Sequence, residues 1–530
     1  MTRIVLLLDS LEVPAWVYES VLQVTKVPNV RVVLAVINES PKASGTKSPF
    51  LYRLYRHLDR KLFIKQPDAF SKKSLSSIPG WDVPVLPAKP IQKQYSDYFT
   101  RESLEQISEV KPDVILRFGF RIIRGEILNL APLGVWSYHH GDPQVYRGGP
   151  PAFWEVIQKI PVSGVALLQL SEHLDQGPVL VQSWTQTDPL SVQRNANRLF
   201  WLSSPFIARA LLKAQIDPTF LKSISPQKSA TPLWKPPGNI AAVVGVAQLF
   251  GRNVLRKINE FLKPAHWEIG RVKFENWDQL GNSFYHSSEK LAPTKGGVYW
   301  ADPFPISYKG EEYVMVEEFD RKENKGTIAC ILPDGTSVSV LEEEWHLSYP
   351  FLLEEDGEIY LIPESAEAGK IYRYRAVDFP FKWERIEVLF DQAAFDPTIW
   401  KDESGYWLFV NQKAHPAGSP FDELFLYHST SLQQPAWTPH PQNPVVSDVR
   451  RSRPAGRIFR EGGKLYRPAQ DSGIRYGYGI QLQEIEELTP TSYREKAVHH
   501  LAPGKQDAFL GIHTFNKLGE MLYLDFYFRK

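Results

Sequence analysis

The chain has little of several features that mark particular classes of protein. It contains 1 Cys among 530 residues, so it cannot form an intrachain disulfide, and cysteine thiolates alone cannot build a metal site. Lys+Arg number 61 and Asp+Glu 60, which leaves no net field to attract nucleic acid. No apolar run reaches the length of a membrane span, and the N-terminal one is too short for a signal peptide. We therefore expect a cytoplasmic protein with no metal, no nucleic-acid partner and no transmembrane segment.

A dinucleotide-binding fingerprint is also missing, since no Gly-x-Gly-x-x-Gly follows the first apolar segment. That segment, 4–8, is a compact apolar strand, while 13–24 has the pattern of a helix and 32–37 that of a second strand. Strand, helix and strand at this spacing predict a right-handed parallel crossover. A chain of 530 residues is too long for one hydrophobic core, so we predict a multidomain protein that begins with an α/β Rossmann-like domain.

Polar residues that suit a site gather between 133 and 182. Two histidines end a predicted strand there, a loop rich in Gly and Pro follows, and an acid precedes a glycine further on. Pro removes a backbone donor and Gly permits positive φ, so that loop fits neither a helix nor a strand. The candidate site residues in this stretch are Ser137, His139, His140, Asp142, Tyr146, Arg147, Gly148 and Asp175.

The spacing of these residues resembles the N-terminal catalytic domain of the formyltransferases that use 10-formyltetrahydrofolate. That family has Asn-x-His-Pro-Ser at a strand end, a Tyr-Arg-Gly-x-x-Pro loop and a later Asp-x-Gly. Here His139, the loop 146–151 and Asp175 match the pattern. Ser137 stands where the family has Asn, and 140–141 is His-Gly in place of Pro-Ser. The resemblance covers roughly 1–185.

The resemblance implies formyl transfer with 10-formyltetrahydrofolate as the cofactor. Attack by a neutral amine puts negative charge on the formyl oxygen, and a donor aimed at that oxygen stabilises it. His139 suits the relay of the amine proton, Asp175 suits the orientation of the imidazole, and Ser137 offers a hydroxyl donor. By resemblance, Gly119 and Phe120 lie beside the folate, although Phe120 suits the core equally well. The residues predicted to bind substrate are His140, Asp142, Tyr146, Arg147 and Gly148.

Two predicted helices carry basic and apolar residues together. The segment 51–63 places basic side chains among Leu and Tyr, which fits a helix with a solvated basic face or, alternatively, a phosphate-binding helix. The segment 240–262 opens apolar and becomes amphipathic, which fits a packing helix between domains or a helix on a membrane surface. The stretch 191–213 is also helical in pattern, and 226–238 is rich in Pro, Ser and Lys, like a linker. We therefore predict a helical connector at 186–265.

The last half of the chain repeats a short pattern at about 50 residues, the period of a four-stranded propeller blade. Each copy of the repeat begins just before an apolar strand. The first four copies continue into a turn with Gly and a second aromatic strand. The starts are 300–304, 348–351, 395–398, 452–455 and 511–514. Five starts predict five blades, so we predict an all-β five-bladed propeller over 266–530.

This half resembles the propellers of the family 43 glycoside hydrolases and, more closely, the propeller-like N-terminal domain of the plant glucosaminyl inositolphosphorylceramide transferases. In such propellers the residues that open the innermost strands face one central funnel. The residues predicted there are Asp302, Glu364, Asp396, Arg453 and His513. Paired carboxylates can hydrolyse a glycoside, but the hydrolases need three acids, and Arg453 stands at the blade start where one is expected. The acids therefore fit hydrolysis, sugar binding without hydrolysis, or the bracing of blade turns.

The sequence as a whole predicts a formyltransferase domain at 1–185, a connector at 186–265 and a propeller at 266–530. We expect formyl transfer to an amino group, on an amino sugar or sugar conjugate, with the propeller binding the glycan. Two alternatives stay open. One is a glycoside hydrolase or glycosyl-processing enzyme with its active site in the propeller, and the other is a carbohydrate-binding protein without catalysis. Peripheral membrane contact is compatible with the sequence, and the oligomeric state is not determined by it.

Overall fold

The structure is a computed structural model. It describes residues 1–530 apart from 41–47, 218, 221–223, 225–230, 275–276, 278–283, 294–295, 506 and 530. Two compact units make up the described chain: 1–254 together with 414–418, and 255–413 together with 419–530. The finer division that the sequence predicts, with boundaries at 185 and 265, stays a prediction.

The first unit is built on a seven-stranded sheet. Its strands are β1 Thr2–Leu8, β2 Val30–Asn38, β3 Val85–Ala88, β4 Val114–Arg117, β5 Val135–His139, β6 Val162–Gln169 and β7 Val179–Gln186. They lie in the order β7-β6-β5-β4-β1-β2-β3. Strands β1 to β5 run parallel to one another, whereas β6 runs antiparallel to both β5 and β7. The parallel pairing of β1 with β2 confirms the crossover predicted for the start of the chain.

Helices cover both faces of this sheet, since residues of α1, α5 and α6 belong to one buried core and residues of α3 to the other. The helices are α1 Ala15–Thr25, α2 Phe50–Phe63, α3 Arg101–Glu109, α4 Phe153–Ile157, α5 Val192–Ser203, α6 Phe206–Ile216 and α7 Asn239–Leu262. The side chains of Thr100 and Ser191 cap α3 and α5 by accepting a backbone N–H of the first turn. No helix in the described part of the chain combines the length and apolar character needed to cross a bilayer.

The central strands are buried on both faces, so their side chains alternate between two cores. On β5, Val135 packs into one core and Trp136 into the other. Because successive side chains of a strand point to opposite faces, His139 shares the face of Val135, and His140 continues the face of Trp136. The two neighbouring histidines therefore have different surroundings.

The second unit contains five sheets that form the five predicted blades. The blade 1 strands are Val298–Tyr308, Glu311–Asp320, Lys325–Ile331 and Ser337–Leu341. The blade 2 strands are Ser348–Glu355, Glu358–Glu364, Ile371–Asp378 and Lys382–Phe390. The blade 3 strands are Phe395–Asp402, Gly405–Asn411, Glu423–Ser429, Thr438–Pro439 and Val446–Ser447. The blade 4 strands are Phe459–Glu461, Lys464–Asp471, Gly479–Leu488 and Tyr493–Leu501. The predicted fold class, a Rossmann-like α/β domain with an all-β propeller, is confirmed.

Blade 5 joins the two ends of the propeller. Its strands are Phe515–Leu518, Met521–Arg529, Ala265–Lys273 and Glu289–Leu291. The strand Ala265–Lys273 pairs antiparallel with Met521–Arg529 along its whole length, from Ala265 opposite Arg529 to Lys273 opposite Met521. Hydrogen bonds between the first and last strands of the propeller thus close the ring of blades.

The inner hairpins of blades 1 and 2 explain the glycines of the repeat. Lys309 and Gly310 have φ of 52° and 84°, and Asp356 and Gly357 have φ of 52° and 80°. Positive φ at both central residues is the type I′ geometry, whose twist matches that of the flanking strands. Glycine adopts it without a steric penalty, which is why these two repeats carry a glycine at this point.

Candidate functional site

A pocket of about 120 Å³ opens at the carboxyl ends of β4 and β5. Its walls come from the ends of β4, β5 and β6, from the short strand Ile122–Arg124 and from the segment 170–177. Ser137, His139 and Asp175, the three predicted catalytic residues, all line it. In open α/β sheets, ligands bind outside the carboxyl ends of the strands, so this is where a site is expected.

His139 and Asp175 form the polar centre of the pocket. Nδ1 of His139 lies 3.5 Å from Oδ1 of Asp175, and its Nε2 lies 2.8 Å from the backbone carbonyl oxygen of Tyr146. A carbonyl oxygen only accepts hydrogen bonds, so Nε2 carries a hydrogen and donates it. We infer that Nδ1, which faces the carboxylate, is the nitrogen that gains and loses the proton.

The surroundings of this pair set its protonation. Burial lowers the pKa of His139, but the hydrogen bond and charge of Asp175, with the Tyr146 carbonyl, outweigh it and hold that pKa above its ordinary value of 6.5. Burial raises the pKa of Asp175, but the imidazole and the Gly148 N–H hold it below its ordinary value. An imidazole whose pKa is moved towards neutrality suits a group that both takes up and returns a proton.

The loop after β5 is tied to Asp175 by its backbone. The N–H of Gly148 donates to Oδ2 of Asp175 over 3.2 Å. Gly148 has φ of +85°, and a Cβ at this position would lie 2.5 Å from the carbonyl oxygen of Trp234, so only glycine fits. Arg147 donates to the carbonyl oxygen of Leu174 over 2.9 Å. These contacts position the loop, and the predicted binding of substrate by both residues stays a prediction.

Tyr146 contributes to the site through its backbone. Its carbonyl oxygen accepts the hydrogen bond from His139, while its hydroxyl donates to Oε1 of Gln158 over 2.8 Å. The phenol therefore points towards α4, and the carbonyl fixes the imidazole ring.

His140 lies in an aromatic core away from the pocket. Its ring stacks on Phe200 with 3.5 Å between ring centroids and an interplanar angle of 6°, and its Nε2 lies 3.2 Å from Oγ of Ser203. Burial and the charge of His139 lower its pKa to about 3. The ring is thus a neutral packing element on the far face of β5, and its predicted contact with substrate stays a prediction.

Three further predicted residues support the fold around the site. Phe120 packs its side chain into the buried core below the sheet, and Gly119 approaches the backbone of Asp9 so closely that a Cβ would lie 2.4 Å from its nitrogen. Asp142 accepts a hydrogen bond from Nε1 of Trp184 over 3.1 Å. Neither Gly119 nor Phe120 lines the pocket, whereas residues 122–124 do.

Arg117, which the sequence analysis did not single out, lies beside Ser137. The two residues are register partners on β4 and β5, and Nη1 of Arg117 lies 3.0 Å from Oγ of Ser137. Its Nε and Nη2 donate to the carbonyl oxygens of Phe120 and Arg121, which holds the guanidinium at the pocket wall. Where the resembling family has an amide, this chain has a hydroxyl joined to a half-buried guanidinium. The sequence feature that could have identified Arg117 as a site residue is an arginine at the end of an apolar strand.

Glu155 is a second titrating group that the sequence analysis passed over. It is 2% exposed on α4, and one of its carboxyl oxygens has no hydrogen-bond partner among the described residues. Burial raises its pKa to about 7, although the charge of His139 opposes this. A buried glutamate inside a short helix gives no sequence signal that separates it from a surface residue.

The residues that open the first three blades share a backbone distortion. Asp302, Tyr349 and Asp396 have φ of 51°, 46° and 49°, and the strand register shifts at each of them, as in a β-bulge. A carboxylate of the preceding blade caps each N–H: Asp525 caps Asp302 (3.0 Å), Asp302 caps Tyr349 (3.0 Å) and Glu364 caps Asp396 (3.1 Å). The funnel acids therefore brace the junctions between blades.

Arg453 continues this bracing into blade 4. Its Nε lies 2.5 Å from Oδ2 of Asp396, and its Nη2 lies 2.9 Å from Oδ1 of Asp396 and 3.1 Å from Oε2 of Glu364. The guanidinium carbon is 4.9 Å from the ring centroid of Phe421. The structure thus brings Glu364, Asp396 and Arg453 together, as the sequence predicted, but it engages the acids in an ion pair.

His513 forms a second buried group with two acids. Its Nδ1 lies 2.5 Å from Oδ2 of Asp525, and its Nε2 lies 3.7 Å from Oδ1 of Asp302. Ligand atoms of the three residues lie within 4.8 Å of one another, which is within the reach of one cation. Trp267 stacks on the imidazole at 3.9 Å between centroids. Asp525 also accepts the backbone N–H groups of 513 and 514. The expectation of no metal stays a prediction.

The fold is that of a Rossmann-like α/β domain joined to an all-β five-bladed propeller. A family model described as "Glucosamine inositolphosphorylceramide transferase 1, N-terminal" matches residues 293–512. The glucosamine inositolphosphorylceramide transferase 1 of Arabidopsis thaliana is 39% identical over 160 residues, which is 30% of this chain and 21% of that protein. The resemblance of the propeller to this plant family, predicted from the sequence, is confirmed.

A methionyl-tRNA formyltransferase of Synechococcus sp. (strain CC9311) is 29% identical over 160 residues, which is 28% of this chain and 44% of that protein. The predicted resemblance to formyltransferases is therefore confirmed as well. Among solved structures, RS223-Beta-xylosidase matches with 11% identity and a TM-score of 0.33, covering 44% of this chain and 92% of that one. The chain spans less than half the length of either curated relative, 21% and 44%.

Proposed function

We propose that the first unit transfers a formyl group from 10-formyltetrahydrofolate to an amino group on an amino sugar or a sugar conjugate. The observation that carries this proposal is the His139–Asp175 pair, 3.5 Å apart, in a pocket that Arg117 and Ser137 also line. A proton relay, its carboxylate partner and donors for an oxyanion thus share one cavity. Support for a sugar acceptor comes from the propeller, whose family model names glucosamine, an amino sugar.

Different side chains of the pocket move the proton and stabilise the charges that develop during transfer. When bound, 10-formyltetrahydrofolate would supply the formyl carbon, whose bond to the folate nitrogen would be exchanged for a bond to the amine nitrogen. Nδ1 of neutral His139 accepts the proton that the amine loses and returns it to the nitrogen that leaves. Asp175 stabilises the imidazolium between these two steps. Arg117 and Ser137 donate to the formyl oxygen while it carries negative charge, the role we infer for an amide in the resembling family.

The residues of the pocket fit a folate donor. Ile122, Leu168 and Leu170 provide apolar walls, and an apolar cleft with a few fixed polar groups is the usual setting for a heterocyclic ligand. The predicted contacts of Gly119 and Phe120 with the folate would have to be made through the adjoining segment 122–124. We further propose a cytoplasmic location, which the buried free thiol of Cys330 supports.

The propeller is proposed to bind the glycan part of the acceptor without hydrolysing it. Hydrolysis requires carboxyl groups that can donate a proton or attack, whereas both oxygens of Asp396 accept hydrogen bonds from Arg453. Oxygens of Asp302 cap Tyr349 and accept the hydroxyl of Thr514 over 2.6 Å. A glycoside hydrolase is therefore the less supported alternative, and sugar binding by the propeller alone is the function that would remain if transfer failed.

Reduced folate is expected to stabilise the first unit. At a ligand concentration of a hundred times Kd, the free energy of unfolding should rise by about 2.7 kcal/mol, which calorimetry with 5-formyltetrahydrofolate measures as a higher Tm. Ile122→Trp should abolish the rise, because the indole fills the pocket. Ile386→Trp, at a position 42% exposed on the propeller, should preserve it. A rise that survives Ile122→Trp would locate folate binding elsewhere.

Arg117→Met is expected to lower kcat by about 10²-fold, because it removes a charged donor from the oxyanion. Ser137→Ala should cost about tenfold, since the guanidinium remains. KM for the folate should change little in both variants, because the interaction forms only in the transition state. Circular dichroism and Tm serve as controls, because Arg117 also ties the carbonyl groups of Phe120 and Arg121. Equal and small effects of both substitutions would remove Arg117 from the mechanism.

A further inference from the structure

Helix α2 exposes an apolar row along its whole length. Leu51, Leu54, Leu58 and Leu62 are 36%, 43%, 46% and 72% exposed, and their spacing of three and four residues places them on one face of the helix. The packed face is a different one, marked by the buried residues Tyr52 and Asp59. The leucine row of an amphipathic helix normally faces the core, so its exposure here requires an explanation.

Helix α7 is apolar on two faces, and within the described residues only one of them is packed. Its buried residues are Ala242, Gly245 and Leu249. Within the first unit, its exposed apolar residues are Ile240 (83%), Val243 (50%), Val244 (50%), Phe250 (71%) and Val254 (41%). At about 100° of rotation per residue, this exposed row lies opposite the packed residues. Burying a large apolar side chain is worth about 2 kcal/mol, which makes a continuous uncovered row costly in water.

The two helices are neighbours in the first unit. Tyr52 of α2 shares a buried cluster with Ala242 and Leu249 of α7. The backbone N–H of Leu51 donates to Oδ1 of Asn239 over 3.1 Å. We call the exposed rows of α2 and of the first part of α7, residues 50–62 and 240–254, the α2–α7 surface.

The exposed charged side chains within 50–62 and 240–254 are of one sign. On α2, Arg53, Arg60 and Lys61 are exposed, Arg60 pairs with Asp68 at 2.8 Å, and the one acid of the helix, Asp59, is buried. In 240–254, Arg252 is the charged residue. At about 100° of rotation per residue, Arg53 and Arg60 lie across α2 from the leucine row, and Lys61 lies at its side. A helix with one apolar face and a basic polar face suits the boundary between the anionic headgroups and the acyl chains of a bilayer.

We propose that the α2–α7 surface docks this protein on an anionic membrane surface. The apolar rows enter the interface, the basic side chains reach the headgroups, and neither helix crosses the bilayer. This inference does not depend on the proposed formyl transfer. It selects membrane contact from the two roles that the sequence left open for 240–262, and it adds α2, whose basic face was expected to be only solvated or to bind phosphate.

Co-sedimentation of the full chain with vesicles tests the proposal. The protein should pellet with phosphatidylcholine vesicles that contain phosphatidylglycerol, should stay in solution with phosphatidylcholine alone, and should be released by added salt. Leu62→Ser with Phe250→Ser should weaken vesicle binding about tenfold or more, because less apolar area enters the interface. Arg53→Gln with Lys61→Gln should weaken it about twentyfold.

Matched substitutions on the propeller give the controls. Val377→Ser with Phe381→Ser removes apolar residues of 53% and 54% exposure and should leave vesicle binding unchanged, as should Lys382→Gln. The proposal is overturned if the wild type ignores anionic vesicles or binds neutral ones equally. It is also overturned if light scattering shows a dimer that Phe250→Ser dissociates, because the surface would then be an interface between copies.

Discussion

Replacing His139 by Ala is expected to lower kcat for formyl transfer by about 10³-fold, the upper part of the range for a general acid–base group. The loss follows from the geometry, because Nδ1 of His139, which faces Asp175 at 3.5 Å, is the nitrogen that we infer to gain and lose the proton. Single-turnover kinetics with saturating folate and amino sugar measure the effect, since they isolate the chemical step. Folate binding should survive.

Two variants control this experiment. His286→Gln changes an exposed histidine of the second unit and should leave kcat unchanged. Asp175→Asn removes the carboxylate that raises the pKa of His139, so that pKa falls. Because the neutral imidazole is the active form for accepting the amine proton, the acidic limb of the kcat/KM profile should move to lower pH. A fall in kcat without this displacement would show that Asp175 does not act through His139.

Replacing Arg453 by Met is expected to destabilise the propeller by about 3–5 kcal/mol, the usual result of removing one partner of a buried ion pair. Arg453 is 7% exposed, and Asp396, which it contacts twice, is 2% exposed. Burial already holds the pKa of Glu364 well above its ordinary value in spite of Arg453, so the uncompensated charge would rest mainly on Asp396. In calorimetry, the transition that does not respond to folate should fall by about 10 °C.

Arg494→Met is the matched control for that substitution. Arg494 also forms an ion pair, with Glu486 at 3.0 Å, but its side chain is 64% exposed, and exposed pairs contribute about 0–1 kcal/mol. The double variant Arg453→Met with Asp396→Leu should recover part of the lost stability, because no buried charge is then left alone. If Arg453→Met lowered the Tm no more than Arg494→Met does, the stability of the propeller would not depend on this arginine.

The fold could be predicted where local pattern and repeat agree. Glycine turns such as Gly310 and Gly357 recur because type I′ hairpins need positive φ, and five repeat starts gave the number of blades. The closure of blade 5 could not be predicted, since Ala265–Lys273 and Met521–Arg529 lie at opposite ends of the propeller sequence. A pairing of that kind depends on the completed ring of blades and leaves no local signal.

The candidate site was predictable in its centre and not at its margins. Spacing brought His139 and Asp175 into consideration, and the pocket contains both. His140 was assigned to substrate, and strand alternation places it on the opposite face from His139, so that assignment stays a prediction. Arg117 was missed because its contact with Ser137 depends on the register between β4 and β5. In the propeller, the structure brings Glu364, Asp396 and Arg453 together. The use of the acids as caps for bulge N–H groups depends on backbone conformation that spacing does not reveal.

The fate of the formyl carbon tests the proposed function most directly. The full chain is incubated with 10-formyltetrahydrofolate carrying an isotopic label in the formyl group and with a panel of amino sugars and their nucleotide conjugates. We expect the label in an N-formyl sugar, in equal amount to the tetrahydrofolate released, with the wild type and not with His139→Ala. Release of labelled formate without an amide product, or equal transfer by both proteins, would contradict formyl transfer at His139.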